Sequence, residues 1–213
     1  MMKSVKLFLV GVLIVGAPGL SLAATGNATF TVSATVPAPT SVSINAVSIN
    51  ATGTPVLTPV TGTALSLDPL AFSAVNQIYL PDHYFAINVG AAGGSAASTV
   101  VTLSYTEGSN PNNVAGGSTF GLGWKTVGTF AKELGTTETI LTGHGTNGKK
   151  LIKDLSGETV TAAELGSGTF RLYLGIVTDN SAGAPVPPGA QTFSNSDKPG
   201  SYTGSLLVSA TVS

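Results

Sequence analysis

Ser201-Tyr202-Thr203-Gly204-Ser205-Leu206-Leu207-Val208-Ser209-Ala210-Thr211-Val212 is the stretch on which the fold reading turns. Tyr202, Gly204, Leu206, Val208, Ala210 and Val212 fall on one side of an extended chain. Thr203, Ser205, Ser209 and Thr211 fall on the other, with Leu207 the single exception. A period of two with one apolar side is the pattern of a strand that buries one face and wets the other. Nothing charged interrupts it, so the usual device that protects a strand edge from pairing with another chain is absent.

The same pattern stands near the other end of the chain. Ala28, Phe30, Val32, Ala34 and Val36 alternate with Thr29, Thr31, Ser33 and Thr35, again without a charge. Pro37-Ala38-Pro39 then stops the strand. Two prolines remove two backbone donors and hold their neighbours extended, so residues 28–36 are set off from the rest by a stiff joint. Between the two ends, strands are expected at residues 41–49, 64–67, 83–89, 99–105, 119–127, 137–141 and 169–177. In the first of these the alternation changes phase between Ala46 and Val47, as at a bulge or turn. Residues 50–63 read as loop. Gly93-Gly94, Ser109-Asn110-Pro111, Gly116-Gly117, Thr146-Asn147-Gly148 and Pro187-Pro188-Gly189 supply the turns. A turn or two of helix is expected only at 129–134 and 161–165. Many short strands joined by loops mean an all-β sandwich or barrel.

Composition narrows the function. Only 9% of the 213 residues are charged, against roughly 25% in ordinary soluble domains. At 42% hydrophobic the chain is far too apolar for a disordered Gly/Ser linker, despite 27 Gly. A net charge of −1, with no basic run longer than Lys149-Lys150, argues against a nucleic-acid partner. Lys3 and Lys6 precede the apolar run 7–15, and small Ser21 and Ala23 follow, which reads as a secretory signal peptide over residues 1–23. Cleavage there leaves 190 of the 213 residues as one exported domain with a net charge of −3, since 7 of the 9 basic side chains remain against 10 acidic ones. There is no Cys, so stability must come from burial and strand pairing.

Catalytic, metal and cofactor chemistry find little purchase. Gly143-His144-Gly145-Thr146-Asn147-Gly148-Lys149-Lys150 is one residue short of a phosphate-binding loop, because Lys150 stands where a magnesium-binding Ser or Thr belongs, and a Gly-rich hairpin is the preferred reading. His83 and His144 lack metal-ligand spacing and read as surface or strand-end residues. Asp82-His83 with a serine would make a hydrolytic triad, but no Gly-x-Ser-x-Gly elbow exists. Asp68, Asp82 and Asp179 lack the dense carboxylates of a calcium loop. Asn27-Ala28-Thr29 and Asn50-Ala51-Thr52 match a glycosylation acceptor and otherwise read as turn and strand. Trp124 reads as core. Lys125, Lys132, Lys149, Lys150, Lys153 and Arg171 interleave with Glu133, Glu138, Asp154, Glu158 and Glu164, as on a solvated sheet face.

Three stretches carry a resemblance: Thr31-Val32-Ser33-Ala34-Thr35-Val36-Pro37; Gly121-Leu122-Gly123-Trp124 followed by Thr129-Phe130-Ala131-Lys132-Glu133; and Pro199-Gly200-Ser201-Tyr202-Thr203-Gly204-Ser205-Leu206-Leu207-Val208. Together they resemble the major pilins of chaperone-usher fimbriae, in particular the cysteine-free alternate group that includes the colonisation-factor and common-pilus subunits. The resemblance implies an immunoglobulin-like β-sandwich that lacks one strand and is completed by donor-strand complementation. Residues 24–39 would be the N-terminal donor-strand extension and 40–213 the sandwich body. Ala28, Phe30, Val32, Ala34 and Val36 would be the donor side chains. Tyr202, Leu206, Val208, Ala210 and Val212 would form one wall of the acceptor groove. The implied partners are further copies of the chain in a head-to-tail homopolymer, a periplasmic chaperone and an outer-membrane usher, with room for a tip adhesin; the implied place is a cell-surface fimbrium reached through the periplasm. Burying a large apolar side chain contributes roughly 1.5–3 kcal/mol, so Phe30, Val32 and Val36 with their main-chain ladder would supply on the order of 10 kcal/mol per joint before ordering costs. Segment 182–198 has no counterpart in that pattern. The alternative is a secreted monomeric β-sandwich, a carbohydrate-binding module or matrix protein, with residues 28–36 folded into its own sheet. A tip adhesin is disfavoured because the alternating strand begins within five residues of the expected cleavage point.

Overall fold

Alternating burial builds the molecule. The computed structural model describes residues 42–91, 99–112, 120–179 and 186–212. Its elements are β1 (Val42–Asn50), β2 (Leu57–Pro59), β3 (Leu70–Ser73), β4 (Ile78–Pro81), β5 (His83–Ala91), β6 (Thr99–Glu107), the helical turn α1 (Leu122–Lys125), β7 (Thr126–Leu134), β8 (Thr137–Ile140), β9 (Lys149–Leu151), a 3-10 turn (Ile152–Asp154), β10 (Glu158–Val160), the helical turn α2 (Ala162–Leu165), β11 (Thr169–Ile176) and β12 (Gly204–Val212). The pairings are antiparallel. One sheet runs β2-β1-β5-β11-β7-β8, with β9 also on β7; a second runs β10-β6-β12; β3 and β4 form a hairpin of their own.

The two larger sheets face each other across one core. Phe85, Ile87 and Val89 of β5, Phe130 of β7 and Phe170, Leu172 and Leu174 of β11 meet Val101, Leu103 and Tyr105 of β6 and Val160 of β10 in a single cluster. The fold is therefore an all-β sandwich. β11, paired on both sides, shows the alternation most cleanly: Phe170, Leu172, Leu174 and Ile176 are buried, and Thr169, Arg171, Tyr173 and Gly175 are half-buried on the reverse face.

Five sequence expectations are corrected. Within 50–63, expected as loop, Leu57–Pro59 form β2 and pair with Val47–Ile49 of β1. Residues 129–134 are strand, not helix: β7 is paired with β11 from Thr126 to Glu133 and with β8 and β9 on its other edge, and those ladders outweigh the helix preference of Ala131-Lys132-Glu133-Leu134. Residues 122–125, expected as strand, form a helical turn because the Glu107 carboxylate accepts from Leu122 N at 2.8 Å and Gly123 N at 2.9 Å. Gly123 makes that approach possible, since a Cβ there would lie 2.7 Å from Glu107 Oε2. The phase change in β1 needs no bulge; the register runs unbroken from Val42↔Ala91 to Asn50↔His83, and the strand buries first one face, at Ala46, then the other, at Ile49. Residues 64–67 join no ladder among the described residues. The expected turn at 161–165 is present as α2, where Thr161 and Glu164 form a reciprocal capping box.

The Gly-rich segment is a hairpin, as its sequence suggests. Asn147 and Gly148 both have positive φ (52° and 78°), and Thr146 and Lys149 exchange N–H···O bonds of 2.9 and 3.1 Å, the arrangement an Asn-Gly turn favours. Segment 186–198, unaligned by sequence, covers one end of the sandwich. Val186 and Ala190 pack on Leu151, Val177 and Trp124. Gln191 N bonds Trp124 O at 2.9 Å and Tyr79 N bonds Phe193 O at 2.8 Å. Lys125, 2% exposed, pins the segment by donating to Thr192 O and to Asp197, 2.9 Å away.

Candidate functional site

β12 pairs with β6 along its whole length, from Gly204↔Glu107 to Val212↔Thr99, and its other edge has no strand partner among the described residues. The burial pattern registers that edge. On β6 the inward Val101, Leu103 and Tyr105 are buried, whereas the inward Leu206, Val208 and Ala210 of β12 are only half-buried, although they pack on the same core. A strand's inner row should be dry; here one side of it is open.

The facing wall is equally unfinished. β1 and β12 approach to within 8 Å between Cα atoms without sharing a ladder. The outer edge of β1 is taken by β2 at Val47–Ile49, and Ala46 O accepts from Val60 N at 2.9 Å, but Val42–Asn45 have no partner on that edge among the described residues. The chain then continues as residues 61–69. Leu65 and Leu67 are half-buried on the core while Ala64, Ser66 and Asp68 are exposed, the alternation of a strand. Yet 61–69 make no backbone-to-backbone hydrogen bond among the described residues. Main-chain groups near a core are normally paired, so two segments that each lack a ladder along one edge among the described residues are places where a further strand can be accommodated. A cavity of about 670 Å³ opens between residues 63–68 and 199–204, with Leu122, Ile176 and Phe193 in its lining.

Among the residues expected to form the groove wall, Leu206, Val208 and Ala210 stand on the open inner row. Val212 ends the strand opposite Thr99. Tyr202 lies before the strand rather than in it, because β12 starts at Gly204. It lines the cavity, its ring edge-on to Phe193 at 5.0 Å and its hydroxyl donating to Lys198 O at 2.8 Å. The donor residues Ala28, Phe30, Val32, Ala34 and Val36 lie outside the described residues.

Two polar clusters flank the core. His83 Nδ1 is hydrogen-bonded to the Asp82 carboxylate, and Nε2 stands 2.7 Å from the main-chain oxygen of Ser66, not from a serine hydroxyl. Burial disfavours the charged ring but is outweighed by the bonds to Asp82 and Ser66, so the His83 pKa lies above its ordinary value. His144 departs from the expectation of a surface or strand-end residue. It is no surface residue: 6% exposed, it stacks on Phe130 at 4.6 Å and bridges Glu158 (2.5 Å) and Glu164 (3.0 Å). Lys150 holds the other Glu158 oxygen. Burial raises the Glu158 carboxyl, but Lys150 and His144 outweigh it and hold the pKa below the ordinary range; Glu164 is lowered first by the Thr161 N–H and hydroxyl. No local spacing links His144 to carboxylates 14 and 20 positions on, so only the fold reveals the cluster. Among the described residues no group of three or more His, Asp or Glu is placed to hold a metal ion.

Comparison with known proteins gives no match: no protein-family model matches the chain, and neither does a curated protein or a solved structure.

Proposed function

We propose that this chain is a structural fimbrial subunit that polymerises head to tail by donor-strand exchange, and that the resulting filament supports cell adhesion and biofilm formation. The observation that carries the reading is the edge of β12, unpaired among the described residues and above a half-buried apolar row, together with a second segment, 61–69, that joins no ladder among them, in a chain whose sequence also holds an uncharged, strand-patterned stretch at 28–36 closed by prolines. Residues 28–36 of one copy enter the furrow of the next. Donor and acceptor are different surfaces, so the contact does not close on itself and propagates as an open filament. Residues 1–23 direct export, a periplasmic chaperone occupies the furrow until the donor arrives, and an outer-membrane usher passes the subunits outward. The furrow's binding energy is spent on a joint, not on a reaction.

The test is removal of residues 24–36. The expected result is a folded subunit that still requires its chaperone and forms no filaments by electron microscopy. Phe30→Asp, which places an unpaired charge in an apolar furrow, is expected to abolish filaments as well. Normal filament yield from either variant contradicts the proposal. A truncated chain that unfolds, beside a full-length chain that is monodisperse, favours the secreted monomeric sandwich instead.

A further inference from the structure

Ser66 lies in the middle of the unpaired wall, and its carbonyl oxygen makes the one hydrogen bond that ties residues 61–69 to another element among the described residues, with His83 Nε2 at the start of β5. The other ring nitrogen faces the Asp82 carboxylate. Both partners are acceptors. A neutral imidazole has one N–H and satisfies one of them; an imidazolium has two and satisfies both. Phe85 closes one side of the ring, edge-on at 5.1 Å, and Asp68, on the wall itself, adds a second negative charge to its surroundings. From across the cavity the charged groups in the lining are Asp197 and Lys198, with Asp197 held by Lys125.

We propose that His83 is the positioning residue of this furrow: as an imidazolium it holds residues 63–68 against β5 at the spacing an incoming strand requires, and as a neutral ring it lets them go. This rests on the strand-accepting reading above and specifies how that site is regulated. A carboxylate is a stronger acceptor than a carbonyl, so the neutral ring keeps its proton on Nδ1 for Asp82. Its Nε2 lone pair then faces the Ser66 oxygen, two acceptors in contact. A wall ordered in advance lowers the cost of binding a guest strand, and a loosened wall restores it. Because the folded-state pKa is raised above 6.5, the anchoring is fully present below 6.5 and is lost as pH rises through the raised value. Strand capture is therefore favoured on the acid side and weakened on the alkaline side.

The experiment is a pH titration of the full chain by NMR, reading the His83 ring protons together with the methyl groups of Leu65 and Leu67, with Leu172 as a core reference. The Leu65 and Leu67 signals are expected to shift with the midpoint of His83, above 6.5, while Leu172 stays still and His83→Gln removes the shift. Wall methyls that do not titrate, or that titrate unchanged in His83→Gln, overturn the proposal. Asp82→Asn keeps the ring and removes the carboxylate, and is expected to lower both midpoints together; independent midpoints overturn it too. Filament assembly measured in parallel is expected to slow about tenfold between acid and alkaline pH, the scale of losing one charge-assisted hydrogen bond. Equal assembly rates with a titrating wall reject the regulation and leave polymerisation standing. A titrating wall in a chain that assembles at no pH rejects polymerisation and leaves the His83 tie standing.

Discussion

β7 and β12 are both nine-residue strands that follow the central ladder of their sheets outward, and among the described residues only β7 has its second edge taken up. Along β7, β8 pairs with Ala131–Leu134 and β9 with Val127–Thr129. Around that side lie the buried His144 cluster and the capping box of α2. Along the free edge of β12 there is no described strand, no charge and a half-buried apolar row. The difference teaches where this sequence places its stability and where, among the described residues, a strand edge stays open to the proposed guest. Ladders and ion pairs complete one side of the sandwich; on the other, the described residues leave the inner row half-buried and the strand edge without a ladder.

The largest expected effect falls in the shared core. Phe170→Ala removes a side chain that is 0% exposed between the two sheets and should cost about 3–5 kcal/mol in urea unfolding. Lys125→Ala leaves Asp197 without its buried partner and should cost about 3 kcal/mol; Lys125 and Asp197 sit far from water, at 3% and 11% side-chain exposure, which is why the loss is large. On the open side, Leu206→Ala should cost the isolated subunit only about 1–2 kcal/mol, because the residue is half-buried, yet reduce filament yield sharply. If Leu206→Ala destabilises the subunit as much as Phe170→Ala does, the contrast between the sides is broken. Thr161→Ala, which removes the capping box, should cost about 1 kcal/mol with filament yield unchanged.

The paired carboxylates and His83 titrate in opposite senses. Glu158 and Glu164 are held below their ordinary value of 4.5 in the folded state, and Asp197 below 3.8, where burial is outweighed by Lys125, the Ser194 N–H and Asn112. Depressed carboxyl values contribute stability that is present above those ordinary values and lost as pH falls through the lowered ones. The urea midpoint should drop in acid, and Glu158→Gln should flatten the drop. His83 acts the other way, releasing its wall as pH rises above 6.5.

Strands whose two faces differ at nearly every residue were legible in the sequence. The regular alternation at 99–107, 169–176 and 204–212 reports a buried face directly, because antiparallel neighbours preserve the period. Residues 129–134 were not legible, since Ala131, Lys132, Glu133 and Leu134 prefer helix locally and are overruled by partners 30 or more positions away, such as Arg171 and Thr169. Leu65 and Leu67 show the converse: the strand pattern is real in burial, but its ladder partner is missing among the described residues. The inner row Leu206, Val208 and Ala210 was visible from spacing alone, whereas the wall opposite it, the His83 tie and the buried His144 depend on contacts between distant segments that no local period encodes.

The most direct measurement uses the absence of native Cys. A chain carrying Val32→Cys together with a cysteine at 206, 208 or 210 in turn can be assembled, oxidised and separated without reductant. A ladder of covalent multimers is expected from at least one of the three pairs. A fast-migrating monomer closed by its own disulfide, or no cross-link at any of the three positions, would contradict it.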